Sequence, residues 1–224
     1  MKYLFVAILG LVLGAAAAGV ALYVNPLSEG SAPMPSVTDR VLHYSLPDHV
    51  LEFAVGEDVR LFAQDPGDDS LWEETIARSA VLGLVLNDAS NQPAALASRL
   101  LSASTETDLL LRGVVVSDHW LVTIPNEGTL FVRADSNAWP FMKERLVPVW
   151  YLDQPWSGPA EYWPTVGPGA DESGDVVGLA GTFHNSAGTA VERYEVTALD
   201  PARNVAHARG ELHLNLPGPQ VAAQ

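Results

Sequence analysis

The chain has 224 residues, 48% of them hydrophobic, and carries 27 acidic against 12 basic side chains for a formal charge of -15. The basic residues are scattered with no run of two, which lacks the clustered cations that a phosphate backbone requires and argues against nucleic acid as a partner. There is no cysteine, so a disulfide framework, thiol catalysis, a lipid-anchored cysteine and cysteine-ligated metal are all excluded.

Residues 1–26 read as a membrane anchor. Lys2 precedes an unbroken apolar run from Tyr3 to Val24, closed by Asn25-Pro26. At about 1.5 Å per residue the run reaches about 33 Å, enough for a hydrocarbon core of about 30 Å. A cleaved signal peptide is the rival reading, because Ala15 to Gly19 offer a small-residue cleavage site after a shorter apolar stretch. Apolar residues continue through Val20, Leu22 and Val24, which suits an uncleaved anchor better. Tyr23 stands where an interfacial aromatic belongs, and Pro26 ends the helix ladder. Gly10 and Gly14 form a G-x-x-x-G pair that Ala18 extends, a face for weak homodimer pairing, although small residues are common in membrane helices in any case. The next basic residue after Lys2 is Arg40, which orients the amino terminus to the cytoplasm and the remainder outward, to a periplasm in a bacterial cell.

Residues 27–39, with Gly30, Pro33, Pro35 and several serines, read as a flexible linker. Residues 40–216 are expected to form a mainly β, antiparallel extracytoplasmic domain, a sandwich or open barrel with one or two short helices, and 217–224 a disordered tail. Short runs at Val41–Ser45 and His49–Val55 flank a turn at 46–48, and a second turn falls at 65–69. Ser70 to Glu73 has capping-box spacing, and Ser79–Leu86 is a compact apolar run ended by polar residues 87–91. Pro93–Leu101 reads as the return strand of a hairpin or as a short helix. Leu109–Val116 and Trp120–Ile124 read as strands, and Pro125 to Gly128 turns the chain into a strand over 129–133. Asn137 and Pro140 precede a two-turn helix over Phe141–Val147 that Pro148 stops. After a loop over 154–173, strands are expected at 176–184, 190–199 and 205–216. The last alternates cleanly, with Ala208, Gly210, Leu212 and Leu214 on one face and Arg209, Glu211 and His213 on the other.

The pattern offers little chemistry. Asp118-His119 pairs a carboxylate with an imidazole, but neighbours in a continuous strand face opposite ways, and no G-x-S-x-G accompanies them. His207 and His213 lie about 20 Å apart along a strand, too far for one metal, leaving Glu211 and His213 as part of a site at most. His184 falls in a turn. Asp171, Ser173 and Asp175 alternate as in a calcium loop, but Val176 replaces the glycine and Thr182 the closing glutamate. Neither a catalytic, a cofactor-binding nor a metal site is assigned, and no cofactor is expected.

One segment stands out. Trp139, Trp150, Trp156 and Trp163 fall within 25 residues, with Tyr151 and Tyr162 among Pro148, Pro155 and Pro159. Trp150, Trp156, Trp163 and Tyr162 are the candidate surface for a protein partner or an apolar or glycan ligand; otherwise they anchor an irregular segment to the sheet. The reading that follows is a single-pass, non-enzymatic envelope accessory or scaffold module with a protein partner. The alternative is a ligand-binding β-domain with these aromatics at its mouth, and the third is a hydrolase using His119 or His184.

Overall fold

A computed structural model describes residues 19, 40–46, 79–108, 112–152, 154–200 and 205–216. Apart from Gly19, the run bearing Tyr3, Gly10, Gly14 and Val24 lies outside them, as do the linker, the features expected at 49–55, 65–69 and 70–73, and the tail. Among the described residues no helix is long and apolar enough to cross a membrane.

The described residues form ten strands, in order β1 (Arg40–Ser45), β2 (Ser79–Asn87), β3 (Pro93–Ala103), β4 (Val115–Ile124), β5 (Gly128–Asn137), β6 (Ala160–Tyr162), β7 (Thr165–Gly167), β8 (Gly174–Gly181), β9 (Ala187–Asp200) and β10 (Val205–Asn215). Eight of them close an antiparallel barrel in the order β1-β2-β3-β4-β5-β8-β9-β10, with β10 pairing back onto β1 from Arg40↔Leu214 to Ser45↔Arg209. Closure removes exposed sheet edges, and eight strands leave an interior that side chains just fill. The sequence left sandwich and open barrel both standing; the closed ring is a correction to each, because it depends on β1 meeting a strand from the other end of the chain.

Strand β8 is too short to span the wall between β5 and β9. It pairs β5 over Gly128–Arg133 and β9 over Ala187–Ala190. Beyond its reach, β7 pairs Asp135 and Ser136 of β5, and β6 pairs Tyr194 to Val196 of β9. These two three-residue strands lie in what the sequence reads as loop.

Pro93–Leu101 falls in a strand, and Trp120–Ile124 falls in β4; of the strand expected over Leu109–Val116 only Val115 and Val116 belong to β4, with 112–114 in a turn and an isolated bridge from Gly113 to Asp108, and 109–111 outside the described residues. The β4–β5 connection is the expected turn, with Asn126 at φ 64 and Gly128 at φ 145. A helical run follows β5: α1 (Trp139–Phe141), a π-helical turn (Met142–Leu146) and α2 (Val147–Tyr151). Pro148 does not stop it. Pro148 stands in the first turn of α2, directly behind the π turn, in a helical run that continues through it.

Inward residues alternate with outward ones around the wall. Leu86, Val122, Leu130, Val132 and Leu214 are fully buried, and Ala208, Gly210, Leu212 and Leu214 form the buried face of β10 as its alternation predicts. Leu146 and Leu199, with Phe141, Met142, Val149 and Trp156 against them, dock the helical run to the end of β9.

Candidate functional site

The barrel interior holds a charged cluster that the sequence reading did not single out. In β3 the inward positions are Ala95, Ala97 and Arg99; in β4 they include Asp118, Trp120 and Val122; in β9 they include Ala190, Glu192 and Tyr194. Three charges therefore sit on the apolar parity of their strands and are carried into the lumen. Arg99 is 1% exposed, Asp118 1% and Glu192 3%.

Arg99 Nε donates to Asp118 Oδ1 at 3.0 Å, and Nη2 donates to Asp118 Oδ2 at 2.5 Å and to Glu192 Oε2 at 2.8 Å. Its Nη1 donates to the hydroxyl oxygens of Tyr44, at 3.3 Å, and of Tyr194. All five guanidinium N–H donors are thus used. The Tyr44 hydroxyl donates in turn to Glu192 Oε1. The Arg99 guanidinium lies 4.4 Å from the Trp120 ring centroid, a cation–π contact inside the core. The cluster ties β1, β3, β4 and β9 together across the lumen.

Gly210 makes room for it. Tyr44 and Tyr194 flank Gly210 in the sheet register, and a Cβ there would meet Tyr44 Cζ at 2.0 Å. From Tyr194 an aromatic chain runs outward: Tyr162 stacks on Tyr194 at 5.2 Å between centroids, and Phe141 on Tyr162 at 4.5 Å. The helical run is coupled to the cluster through these rings.

Two carboxyl groups face one guanidinium, so the cluster has surplus negative charge. Burial pushes the Glu192 carboxyl up to about 7, opposed by Arg99 and reinforced by Asp118. Burial also raises the Tyr44 and Tyr194 phenols well above their ordinary value, which keeps them protonated as donors. Burial alone would lower Arg99, but Asp118 and Glu192 hold it above its usual range. Chemically the arrangement is a clamp whose donors are spent on its own members.

The residues singled out in the sequence fall as follows. Trp150 lies in α2. Trp156 is partly buried, and its indole N–H donates to the Thr197 carbonyl at 3.4 Å. Tyr162 sits in the ring stack, and Trp163 packs 5.2 Å from the His213 ring. Asp118 and His119 face opposite ways: Asp118 joins Arg99, while His119 stacks on Phe131 at 5.8 Å with Nδ1 buried and unpartnered. Exposed His184 lies in the turn after β8, its Nδ1 3.3 Å from the Leu179 carbonyl. Asp171 Oδ1 accepts from the Ser173 hydroxyl at 2.5 Å, a turn closed on itself. Among the described residues no group of three or more His, Asp or Glu is placed to hold a metal ion.

The outer wall is two-sided. On β9 and β10, Arg193 pairs with Glu211 at 2.9 Å and Arg209 with Glu195 at 2.9 Å; Arg193 also reaches Glu161 of β6 at 2.5 Å. A cleft of about 250 Å³ opens on this side, lined by His43, Asn87, Arg193, Arg209 and Glu211 among others. The wall of β2, β3, β4 and β8 instead exposes large aliphatic side chains, Leu96 being 61% exposed. The clamp has a signal in the sequence, a lone charge on the apolar parity of a strand, once each strand's inward face is assigned. No protein-family model matches the chain, and no curated protein matches it.

Proposed function

We propose that the chain is a single-pass, membrane-anchored, non-enzymatic module whose barrel acts through its outer wall as an envelope accessory or scaffold on the extracytoplasmic side. One observation carries this: the interior charges are spent on one another inside the barrel, while apolar side chains stand exposed on one flank of the wall. A barrel that serves a ligand inside itself keeps lumen for it; one that fills its lumen and exposes apolar wall works from outside. The apolar run over 3–24 supports the anchor. The test is full-length protein taken through alkaline carbonate extraction and protease accessibility in sealed membranes, after mild crosslinking. Retention in the membrane, a protected amino terminus and a stoichiometric crosslinked protein are expected. A released chain beginning near Gly19 overturns the anchor.

A second reading, an apolar or glycan ligand held at Trp150, Trp156 and Trp163, draws on the partial exposure of Trp156 and Trp163. Quenching or a blue shift of tryptophan emission in a lipid or oligosaccharide titration supports it, and flat titrations across the panel dismiss it.

A further inference from the structure

Val81, Val85, Leu96, Leu100, Leu121 and Val177 are 39–61% exposed, and all face outward. Strand register makes them one surface. Val85 lies opposite Leu96 and Val81 opposite Leu100. Leu121 lies opposite Ser98, between Leu96 and Leu100, and opposite Phe131 on its other side. Phe131 lies opposite Val177. At about 4.8 Å per strand the patch extends about 20 Å around the wall over five strands. Arg133 and Asp175, paired in register, stand at its border. The ion pairs of Arg193 and Arg209 occupy the far flank on β9 and β10.

A surface of this size on a single chain marks a contact with another apolar phase. Its shape selects which. The patch is convex, so a second barrel laid against it touches two or three strands and leaves the rest wet, whereas acyl chains conform to a curved wall. Its tether points the same way. Residues 25–39 separate the apolar run from β1, and 15 residues span at most about 50 Å even fully extended. The barrel is thereby held at the surface of the bilayer that receives the anchor, where the effective concentration of lipid is high.

We infer that the flank formed by β2, β3, β4, β5 and β8 rests in the interfacial layer of that bilayer, with β9 and β10 turned to water. This rests on the anchored reading given above. The lipid contacted is the acyl boundary of an uncharged or zwitterionic leaflet, since a chain of charge -15 is repelled by anionic headgroups.

The absence of native cysteine permits single labels in the full chain. Leu121→Cys and Leu96→Cys on the flank, and Arg209→Cys opposite, carry an environment-sensitive fluorophore in phosphatidylcholine vesicles with and without brominated acyl chains. The chain is expected to float with the vesicles, with the flank labels blue-shifted and quenched several-fold more by brominated lipid than the label at 209. If the chain floats and all three labels report water, the inference fails and the anchor stands. If the flank labels are shielded yet untouched by brominated lipid, a protein covers the flank and the inference fails. A chain that does not float overturns anchor and inference together.

Discussion

Arg99 and Glu192 meet at 2.8 Å across the barrel lumen, although they are 93 residues apart in the chain. Their contact joins β3 to β9, strands that are not neighbours in the wall. Pairing along the wall fixes which strand lies next to which; this contact fixes which strands face each other.

Removing one partner strands the others. Arg99→Met leaves two buried carboxyl groups without their cation and is expected to cost about 3–5 kcal/mol in urea unfolding. Adding Asp118→Leu and Glu192→Met is expected to restore part of that loss, because the uncompensated charges are gone while the buried Tyr44 and Tyr194 hydroxyls are left without their partners. A triple variant no more stable than Arg99→Met would show that the clamp contributes more than charge compensation.

Folding takes up a proton at Glu192. The carboxyl titrates near 4.5 when unfolded and is raised to about 7 by burial in the fold. A raised pKa means that the native state holds the proton more tightly. The stability it supplies is complete below about 4.5 and is lost as pH rises through about 7. Between pH 5 and pH 8 this one group should remove on the order of 2 kcal/mol. Unfolding free energies at both pH values, with Glu192→Gln as reference, check the sign: the variant should show the shallower fall. Equal slopes would mean that Glu192 is ionised throughout.

Gly210→Ala tests the space beside Tyr44. The added methyl would meet the ring at 2.0 Å, so the ring must leave its place between Arg99 and Glu192. A loss of about 1–3 kcal/mol is expected, read as a lowered thermal midpoint. In a double-mutant cycle with Tyr44→Ala the two losses should be strongly non-additive, since the second substitution removes what the first collides with.

Trp156→Phe keeps a ring against Leu146 and Leu199 but deletes the indole N–H that reaches Thr197. About 1 kcal/mol should be lost, with hydrogen exchange in the helical run accelerated and exchange in β3 and β4 unchanged. Uniform acceleration would show that the helical run is part of the barrel's cooperative unit.

Much of the wall was legible. The alternation over 205–216 and the turn at Pro125 to Gly128 follow from local pattern, because inward and outward positions differ in chemistry at period two; Pro93–Leu101 stayed open between strand and helix, since its outward Leu96 and Leu100 are larger apolar residues than its inward Ala95 and Ala97. What local pattern cannot carry is which distant strand closes the ring: β1 meets β10 through contacts some 170 residues apart, and nothing in RVLHYS names its partner. Strands β6 and β7, three residues each, are too short to display a period at all. The clamp was illegible for a different reason. Arg99, Asp118 and Glu192 are each a lone charge on the inward parity of a strand, a signal that appears only once every strand's inward face has been assigned. The aromatic segment was conspicuous by composition, and its rings connect the helical run, β6 and β9.

The short segment 160–167 completes the wall where β8 falls short, giving Tyr194–Val196 and Asp135–Ser136 their partners. If it swings away, two strands are left with unpaired donors and acceptors side by side, a docking template for any extended peptide, including the same strands of a neighbouring molecule. The barrel's resistance to self-association through β-pairing therefore depends on the few hydrogen bonds that hold these six strand residues, and partial opening there is a route to aggregation that leaves the rest of the fold intact.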